Sequence, residues 1–348
     1  MRFLEKEFID QLTTEINDDG NVVIAGVPFA PAAILSADQA AFVEAFEDWK
    51  NSSWLPEVLQ RADAILDKFD NRERFYDLVN SIRRDKVLPF IGSGMSNPSG
   101  LPLWNELLHR LCNRSRLPVA TLDEILATGD FERAAAEVRA NMPAQLFDEQ
   151  ILVGLRIGQL NSISGAVRYL PIIFNGAAIT LNYDEVLERV FLEAENGFSM
   201  VLTGNRIGEF RRLTADGERC LVKFHGDFRQ PDTRVITAEE YDRLYVEDIR
   251  NRGSLIEAFK NHKILFLGCS LSVDRTMGLF KEIADEDPDA PRHIAFLRTP
   301  DEESRINREH FLTERSIFPI WYDCETDNCH DEAVEALLVK ILKELDKI

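Results

Sequence analysis

Positive charge is scarce in this chain of 348 residues. Sixty Asp and Glu outnumber forty Lys and Arg, which leaves a net charge of −20 at pH 7. Proteins that grip a nucleic-acid backbone regardless of sequence need clustered Lys and Arg. Anionic membranes likewise attract basic segments. The composition therefore argues against nucleic acid and membrane surfaces as direct partners.

Cysteine is scarce as well. The five cysteines include no Cys-x-x-Cys pair, and only Cys324 and Cys329, just before His330, stand close together. A sparse, odd set predicts reduced thiols and a cytoplasmic location. A structural zinc site needs four Cys or His ligands, so no zinc is expected. A polar surface loop explains the partial cluster at residues 324–330 equally well.

Several catalytic motifs are missing. The sequence contains no Gly-x-x-x-x-Gly-Lys-Ser/Thr loop, no Gly-x-Ser-x-Gly and no His-Glu-x-x-His. A P-loop ATPase, a hydrolase with a nucleophile elbow and a zinc protease of that type are therefore disfavoured. The longest apolar stretch, residues 22–35, contains Gly26, Pro28 and Pro31. It is too short to cross a bilayer.

What is present is an alternation of short apolar runs with amphipathic segments. The runs begin near residues 87, 172, 200, 221, 234, 263, 293 and 317. This rhythm predicts an α/β fold with a doubly wound, Rossmann-like, mostly parallel sheet and right-handed crossovers. Helical patterns between residues 103 and 155 predict a helical insertion. Residues 1–84 are predicted to form a mostly helical extension for packing or oligomerisation, and residues 85–348 the domain that carries the site.

Polar or small residues follow four of the predicted strands, at residues 92–96, 182–184, 225–227 and 268–272. Ligands of doubly wound sheets bind beyond the carboxyl ends of the strands. These four clusters are therefore expected to form one site.

The first cluster lies in the stretch VLPFIGSGMSNPSGLPLW, residues 87–104. Gly92 and Gly94 would let the backbone turn sharply and approach a ligand, and free N–H groups at such a turn suit phosphate. The third glycine of the dinucleotide fingerprint is missing, because Asn97 stands there. An ordinary strand-to-helix turn therefore stays open as the alternative.

The other clusters contain residue types that take part in catalysis or ligand binding. Asn182 would orient water or a ribose hydroxyl, or would cap the next helix, although Asp184 is the better cap. His225 is a candidate general base or a structural histidine, and Gly226 favours close ligand approach. The stretch after Gly268 contains Ser270, Ser272 and Asp274, and its small residues would admit a flat or phosphorylated ligand.

Taken in order, these segments resemble the sirtuin-like domain of bacterial antiviral defence proteins. The matching motifs are GSGMS with GLPLW (92–104), ITLNYDEVLE (179–188), KFHGD followed by VITAEEYDRLY (223–245), and FLGCSLSVD (266–274). Two positions depart from the family pattern: Ser93 stands where Ala is frequent, and Cys269 replaces a Tyr. The zinc cysteines of protein-deacylating sirtuins are absent, which favours a zinc-free branch that does not deacylate proteins.

The resemblance implies that NAD is the substrate, and that the chain hydrolyses it to nicotinamide and ADP-ribose as an antiviral effector. It implies Asn182 and His225 as the catalytic residues. The NAD-binding residues would be Gly92, Ser93, Gly94, Ser96, Leu101, Asp184, Gly268, Ser270 and Leu271. A homo-oligomer is expected, with a hexameric helicase-like ATPase as the partner found for some relatives. A subunit that binds NAD or ADP-ribose without turnover is the alternative, and a protein deacylase is the third.

Overall fold

The computed structural model describes residues 3–17, 20–156, 162–271, 275–325 and 329–348. By its internal contacts the chain divides into two compact units, Met1–Asp63 and Ala64–Ile348. The predicted domain boundary after residue 84 stays a prediction. Among the helices of the described ranges, none is long and apolar enough to cross a membrane.

The smaller unit is mostly helical, as predicted. Its elements are α1 (Phe3–Asn17), β1 (Val22–Ile24), β2 (Val27–Phe29), α2 (Pro31–Ala37), α3 (Gln39–Trp49) and the start of α4 (Leu55–Leu66). The ring of Phe8 on α1 lies 5.5 Å from that of Phe42 and 5.4 Å from that of Trp49, centroid to centroid, and both partners belong to α3. This aromatic cluster joins the two helices. Strands β1 and β2 form an exposed antiparallel hairpin.

The larger unit carries the sheet and the remaining helices. Its strands are β3 (Val87–Ile91), β4 (Ala178–Thr180), β5 (Met200–Leu202), β6 (Cys220–Lys223), β7 (Lys263–Leu267), β8 (His293–Arg298) and β9 (Ile317–Tyr322). Its helices before β6 are α5 (Asn71–Ile82), α6 (Trp104–Cys112), α7 (Val119–Ala127), α8 (Phe131–Ala140), α9 (Ala144–Gly154), α10 (Leu170–Ile173), α11 (Val186–Glu193) and α12 (Phe210–Ala215). After β6 come α13 (Ala238–Tyr241), α14 (Ile249–Asn261), α15 (Arg275–Glu286), α16 (Glu302–Thr313) and α17 (Cys329–Glu344).

These strands form one sheet in the order β5-β6-β4-β3-β7-β8-β9, and every neighbouring pair is parallel. Strands β3 and β7 are buried along their whole length, as expected for a parallel sheet covered on both faces. The order reverses at β3, which lies between β4 and β7. The predicted α/β doubly wound fold is therefore confirmed, and the reversal creates the crevice where such sheets bind ligands.

Helices α6 to α9 form the predicted insertion between β3 and β4. Their apolar side chains build a core of their own, which Tyr183, Phe228 and Ile236 join from the loops after β4 and β6. The insertion therefore packs against two of the loops at the carboxyl edge of the sheet.

One predicted strand begins later than expected, because Leu170–Ile173 form α10 and β4 covers only Ala178–Thr180. Another is wrong. Residues 234–237 form no strand; Val235 donates one backbone hydrogen bond to the His225 carbonyl at 2.9 Å. Thr237 instead begins α13 with a capping box, in which its hydroxyl accepts from the Glu240 N–H and the Glu240 carboxylate accepts from the Thr237 N–H. The β-branched composition of this segment is overruled by the helix start that follows it.

The cysteines also differ from expectation. Cys324 and Cys329 form a disulfide with their Cα atoms 5.4 Å apart, although reduced thiols are predicted. Cys112, Cys220 and Cys269 are buried thiols, as expected.

A buried asparagine attaches α5 to β9. Asn71 Nδ2 donates to the carbonyls of Ile65 and Trp321, both at 2.8 Å, and its Oδ1 accepts from the Trp321 N–H at 2.9 Å. Removing this side chain would leave main-chain groups of a buried strand without partners, which is costly.

We predict that Asn71→Ala lowers the free energy of unfolding by about 3 kcal/mol, because buried polar groups lose their hydrogen bonds. Asn80→Ala is the matched control, since Asn80 is exposed on the same helix, and it should cost about 0.5 kcal/mol or less. Urea unfolding of the full chain measures both. Equal effects of the two substitutions would contradict the role assigned to Asn71.

Candidate active site

The loops after β3 and β7 touch through their backbones. The Gly92 N–H donates to the Leu267 carbonyl at 2.8 Å, and the Gly94 N–H donates to the Gly268 carbonyl at 3.0 Å. A Cβ atom on Gly92 would lie 2.4 Å from the Gly268 oxygen, and one on Gly268 would lie 2.5 Å from the Met95 nitrogen. These glycines are therefore required for the two loops to pack together. Ligand approach is the reason predicted for Gly92 and Gly94, and the structure shows this different one.

Asn182, after β4, is held by the loop after β3. Its Nδ2 donates to the Gly92 carbonyl at 3.1 Å and to Ser96 Oγ at 3.0 Å. Both amide hydrogens are therefore used inside the protein, and the side chain has one orientation. No described residue donates a hydrogen bond to Oδ1, which leaves this oxygen available to a ligand or water.

Asp184 binds the start of α11, as predicted, although the N-cap position itself is occupied by Glu185. Its Oδ1 accepts from the Val186 N–H, the first residue of α11, at 2.9 Å. Burial raises the pKa of the Asp184 carboxyl, and hydrogen bonds from Val186 and Ser96 together with the charge of Lys223 oppose that rise. The helix-cap alternative for Asn182 is therefore wrong. Asp184 and Ser96 form a chain of contacts that ends on the Asn182 amide.

His225, after β6, is half-buried among aromatic rings. Its ring centroid lies 5.5 Å from that of Phe224 and 6.2 Å from that of Tyr183. Burial lowers the pKa of His225 to about 4, because an apolar environment disfavours the imidazolium ion. The imidazole is therefore neutral at pH 7 and able to accept a proton.

Gly226 has a different reason for being glycine than the one predicted. Its φ is +88°, and a Cβ atom there would lie 2.1 Å from the Thr233 carbonyl oxygen. Glycine is required here by the turn and by the close packing of the segment that returns past His225. The predicted reason was the close approach of a ligand.

The loop after β7 is fixed from the side of α16. Arg308 donates to the carbonyl of Ser270 at 2.7 Å and also to the carbonyl of Leu271. Ser270 is exposed, whereas Leu271 is buried with a φ of +50°. Ser272 and Asp274 lie outside the described residues.

The structure brings most of the predicted residues together. Gly92, Ser96, Asn182 and Asp184 are linked directly, and Gly94 contacts Gly268. The His225 loop joins them through the Phe228 N–H, which donates to the Tyr183 carbonyl at 3.1 Å. Ser93 is half-buried in the turn between Gly92 and Gly94.

Leu101 lies apart from these contacts. It is buried, and its carbonyl accepts from Asn97 Nδ2 at 3.1 Å. No hydrogen bond within the described ranges joins it to the loops after β4, β6 or β7.

Lys223 was missed by sequence reasoning. It is fully buried at the end of β6, and its ammonium contacts the loop that carries Asn182. The available signal was a lysine within the otherwise apolar run CLVKF, residues 220–224. Buried lysines need partners, but the sequence does not show where the partners lie.

A cavity of about 480 Å³ opens beside the segment that follows His225. Residues of the insertion, of the loops after β5 and β6 and of the segment from α13 onward line it, namely Arg139, Gly204, Asn205, Pro231, Asp232, Thr233, Glu240, Arg243 and Leu244. The predicted site residues are not among them. Within the described part of the chain, no three His, Cys, Asp or Glu form a group suited to a metal ion.

Comparison with known proteins finds a family of domains that part of this chain resembles. Residues 176–320 match the model of the SIR2-like domain. The match includes Asn182, Asp184, His225 and the loop after β7, while Gly92–Ser96 and Leu101 precede it. The predicted resemblance to a sirtuin-like domain is confirmed.

One protein with a similar sequence is the NAD(+) hydrolase ThsA of Acinetobacter baumannii (strain 532279). The two chains are 21% identical over 266 residues, which cover 76% of this chain and 50% of the relative. This chain therefore spans about half the length of the curated relative that it matches.

We predict that His225 titrates with a pKa of about 4 in the folded protein. His109 should titrate above 6.5, because hydrogen bonds from its ring to the Asn105 carbonyl and Asp123 raise its pKa. Since an unfolded histidine binds its proton near pH 6.5, the His225 contribution to stability falls as pH drops from about 6.5 towards 4.

NMR titration of the histidine ring carbons measures both values, with His225→Ala assigning the signal. A His225 pKa near 6.5 would contradict the imidazole that its apolar surroundings keep neutral.

Proposed function

We propose that this chain hydrolyses NAD⁺ to nicotinamide and ADP-ribose. The observation that carries the proposal is that the oriented Asn182 amide and the neutral His225 imidazole follow two neighbouring strands, β4 and β6, at the carboxyl edge of one parallel sheet. The likeness to an NAD(+) hydrolase supports the choice of NAD, which the geometry alone does not select.

In the proposed reaction, the bond between the ribose C1′ and the nicotinamide nitrogen breaks, and its electron pair leaves with neutral nicotinamide. Water then bonds to C1′ and loses a proton to His225. A weak base is sufficient here, because water becomes strongly acidic as its oxygen bonds to an oxocarbenium carbon. Asn182 Oδ1 accepts from this water or from a ribose hydroxyl, since Nδ2 is already occupied.

The remaining predicted residues divide into two groups in this proposal. Gly92, Ser93 and Gly94 border the pyrophosphate, and Gly268, Ser270 and Leu271 border the adenosine. Ser96 and Asp184 hold Asn182 in place, because their described contacts are made inside the protein. Leu101 supports the loop after β3 on the side away from NAD.

We further propose that the activity serves antiviral defence and is controlled by assembly. An uncontrolled enzyme of this kind would deplete the NAD of its host. The resemblance to defence proteins supports homo-oligomerisation and a partner such as a hexameric helicase-like ATPase. Residues 1–84 are the proposed interface.

We predict that His225→Ala and Asn182→Ala each lower kcat for NAD hydrolysis by about 10²-fold or more, the range expected for loss of a positioned acid–base or orienting group. His310→Ala and Asn105→Ala are matched controls, since both residues are exposed, and they should retain full activity. Chromatography of NAD, nicotinamide and ADP-ribose measures turnover. Unchanged turnover in both site variants would refute the assignment of the site.

A second outcome distinguishes the alternative function. If the purified chain binds NAD or ADP-ribose in calorimetry but forms no product, alone and with its partner ATPase added, it is a binding subunit and the proposed hydrolase is wrong.

A further inference from the structure

Lys223 connects the two loops that carry Asn182 and His225. Its side chain is 0% exposed, and Nζ lies 3.0 Å from the Tyr183 carbonyl oxygen and 2.6 Å from that of Asp184. It also lies 3.0 Å from Glu188 Oε1 and 2.6 Å from Asp227 Oδ2. We call these five groups the lysine network. An ammonium has three N–H donors, so four acceptors use its full capacity.

The partners belong to separate parts of the chain. The two carbonyls lie in the loop after β4, next to Asn182, and Glu188 lies on the helix that follows. Asp227 lies in the loop after β6, two residues beyond His225. The network therefore sets the separation of these loops, and the hydrogen bond from the Phe228 N–H to the Tyr183 carbonyl adds a second link.

Burying the charged groups of the lysine network costs free energy, because they lose their hydration. Burial opposes the charged form of Lys223, but the carboxylates of Glu188 and Asp227 raise its pKa above the usual value. Burial also raises the pKa of Glu188. Well-packed apolar residues frequently match or exceed the stability of a buried ion pair. Stability alone is therefore a poor reason for a lysine here, whereas four directional contacts specify the positions of the groups around it.

We propose that Lys223 is a positioning residue of the NAD site. It holds the loops after β4 and β6 in place so that Asn182 Oδ1 and the His225 ring both lie near the same ribose carbon. This inference rests on the proposed function. Lys223 acts through its neighbours and does not touch the substrate.

The first test compares Lys223→Met with Lys263→Met. Lys263 is also a buried strand lysine paired with a carboxylate, that of Asp77, but it lies at the start of β7, at the opposite edge of the sheet. Both variants should melt at lower temperature. Only Lys223→Met should lose kcat, by about 10²-fold with KM nearly unchanged, because small displacements of reacting groups cost that much. Equal kcat in the two variants would overturn the proposal.

A charge-balanced variant separates position from charge. Lys223→Met combined with Glu188→Gln and Asp227→Asn removes the carboxylates that the single variant leaves unpaired. We expect it to regain thermal stability without regaining kcat, because no ammonium holds the Tyr183 and Asp184 carbonyls. Recovery of kcat together with stability would show that Lys223 serves charge balance only, and would overturn the proposal.

A third readout does not depend on turnover. Hydrogen–deuterium exchange well below the melting temperature should be faster in Lys223→Met for peptides covering residues 181–185 and 225–229, and unchanged in α17. Unchanged exchange in both loops would overturn the positioning role. If the unsubstituted chain fails to hydrolyse NAD, both alone and with its partner ATPase added, the proposed function fails, and the exchange experiment still decides whether Lys223 positions the loops.

Discussion

The ammonium group of Lys223 occupies a place where a parallel sheet normally puts an apolar side chain. It is surrounded by backbone carbonyls and carboxylates from the neighbouring loops and helix. A parallel sheet fixes its strands through a ladder of hydrogen bonds, but it leaves the loops beyond the strand ends free to vary. At this edge the loops after β4 and β6 are instead joined by a charge that needs an acceptor for each of its three N–H groups, because an unpaired buried ammonium would be very costly.

The loops after β3 and β7, which form the other half of the site, depend on glycines at their point of contact. The loops after β3 and β7 approach so closely that a Cβ atom on Gly92 or Gly268 would overlap the facing backbone. The Asn182 amide then binds the Gly92 carbonyl, which connects the glycine pair to the loop after β4. One pair of loops is thus joined by backbone contact and the other by a buried lysine, and Asn182 lies where the two pairs meet.

Much of this architecture was predictable from the sequence, for physical reasons. Strands β3, β7, β8 and β9 are apolar runs whose burial on both faces follows from a parallel sheet. The four polar clusters after predicted strands had to meet at one edge once the sheet was parallel. Residues 234–237 are predicted to form a strand because three of them are β-branched. They form none, because Thr237 and Glu240 make a capping box that begins α13.

The details that determine chemistry were not predictable. Ligand approach is predicted for Gly92, Gly94 and Gly226. The first two are instead glycine because their loop packs against Gly268, far away in the chain, and Gly226 because of its own turn and the nearby Thr233 carbonyl. The lowered pKa of His225 depends on burial beside Phe224 and Tyr183, which only the folded chain creates. The sequence shows Lys223 inside an apolar run, but its acceptors include residues up to 40 positions away.

We propose that these loops form one site, in which Asn182 Oδ1 and His225 act at the same carbon of NAD. A crystal structure of the His225→Ala variant with NAD tests it most directly. We expect the nicotinamide ribose to lie within hydrogen-bonding distance of Asn182 Oδ1 and beside the space left by the His225 ring, with the pyrophosphate near Gly92 and Gly94. NAD bound elsewhere, for example in the cavity lined by Arg139 and Arg243, would show that these loops are not the NAD site.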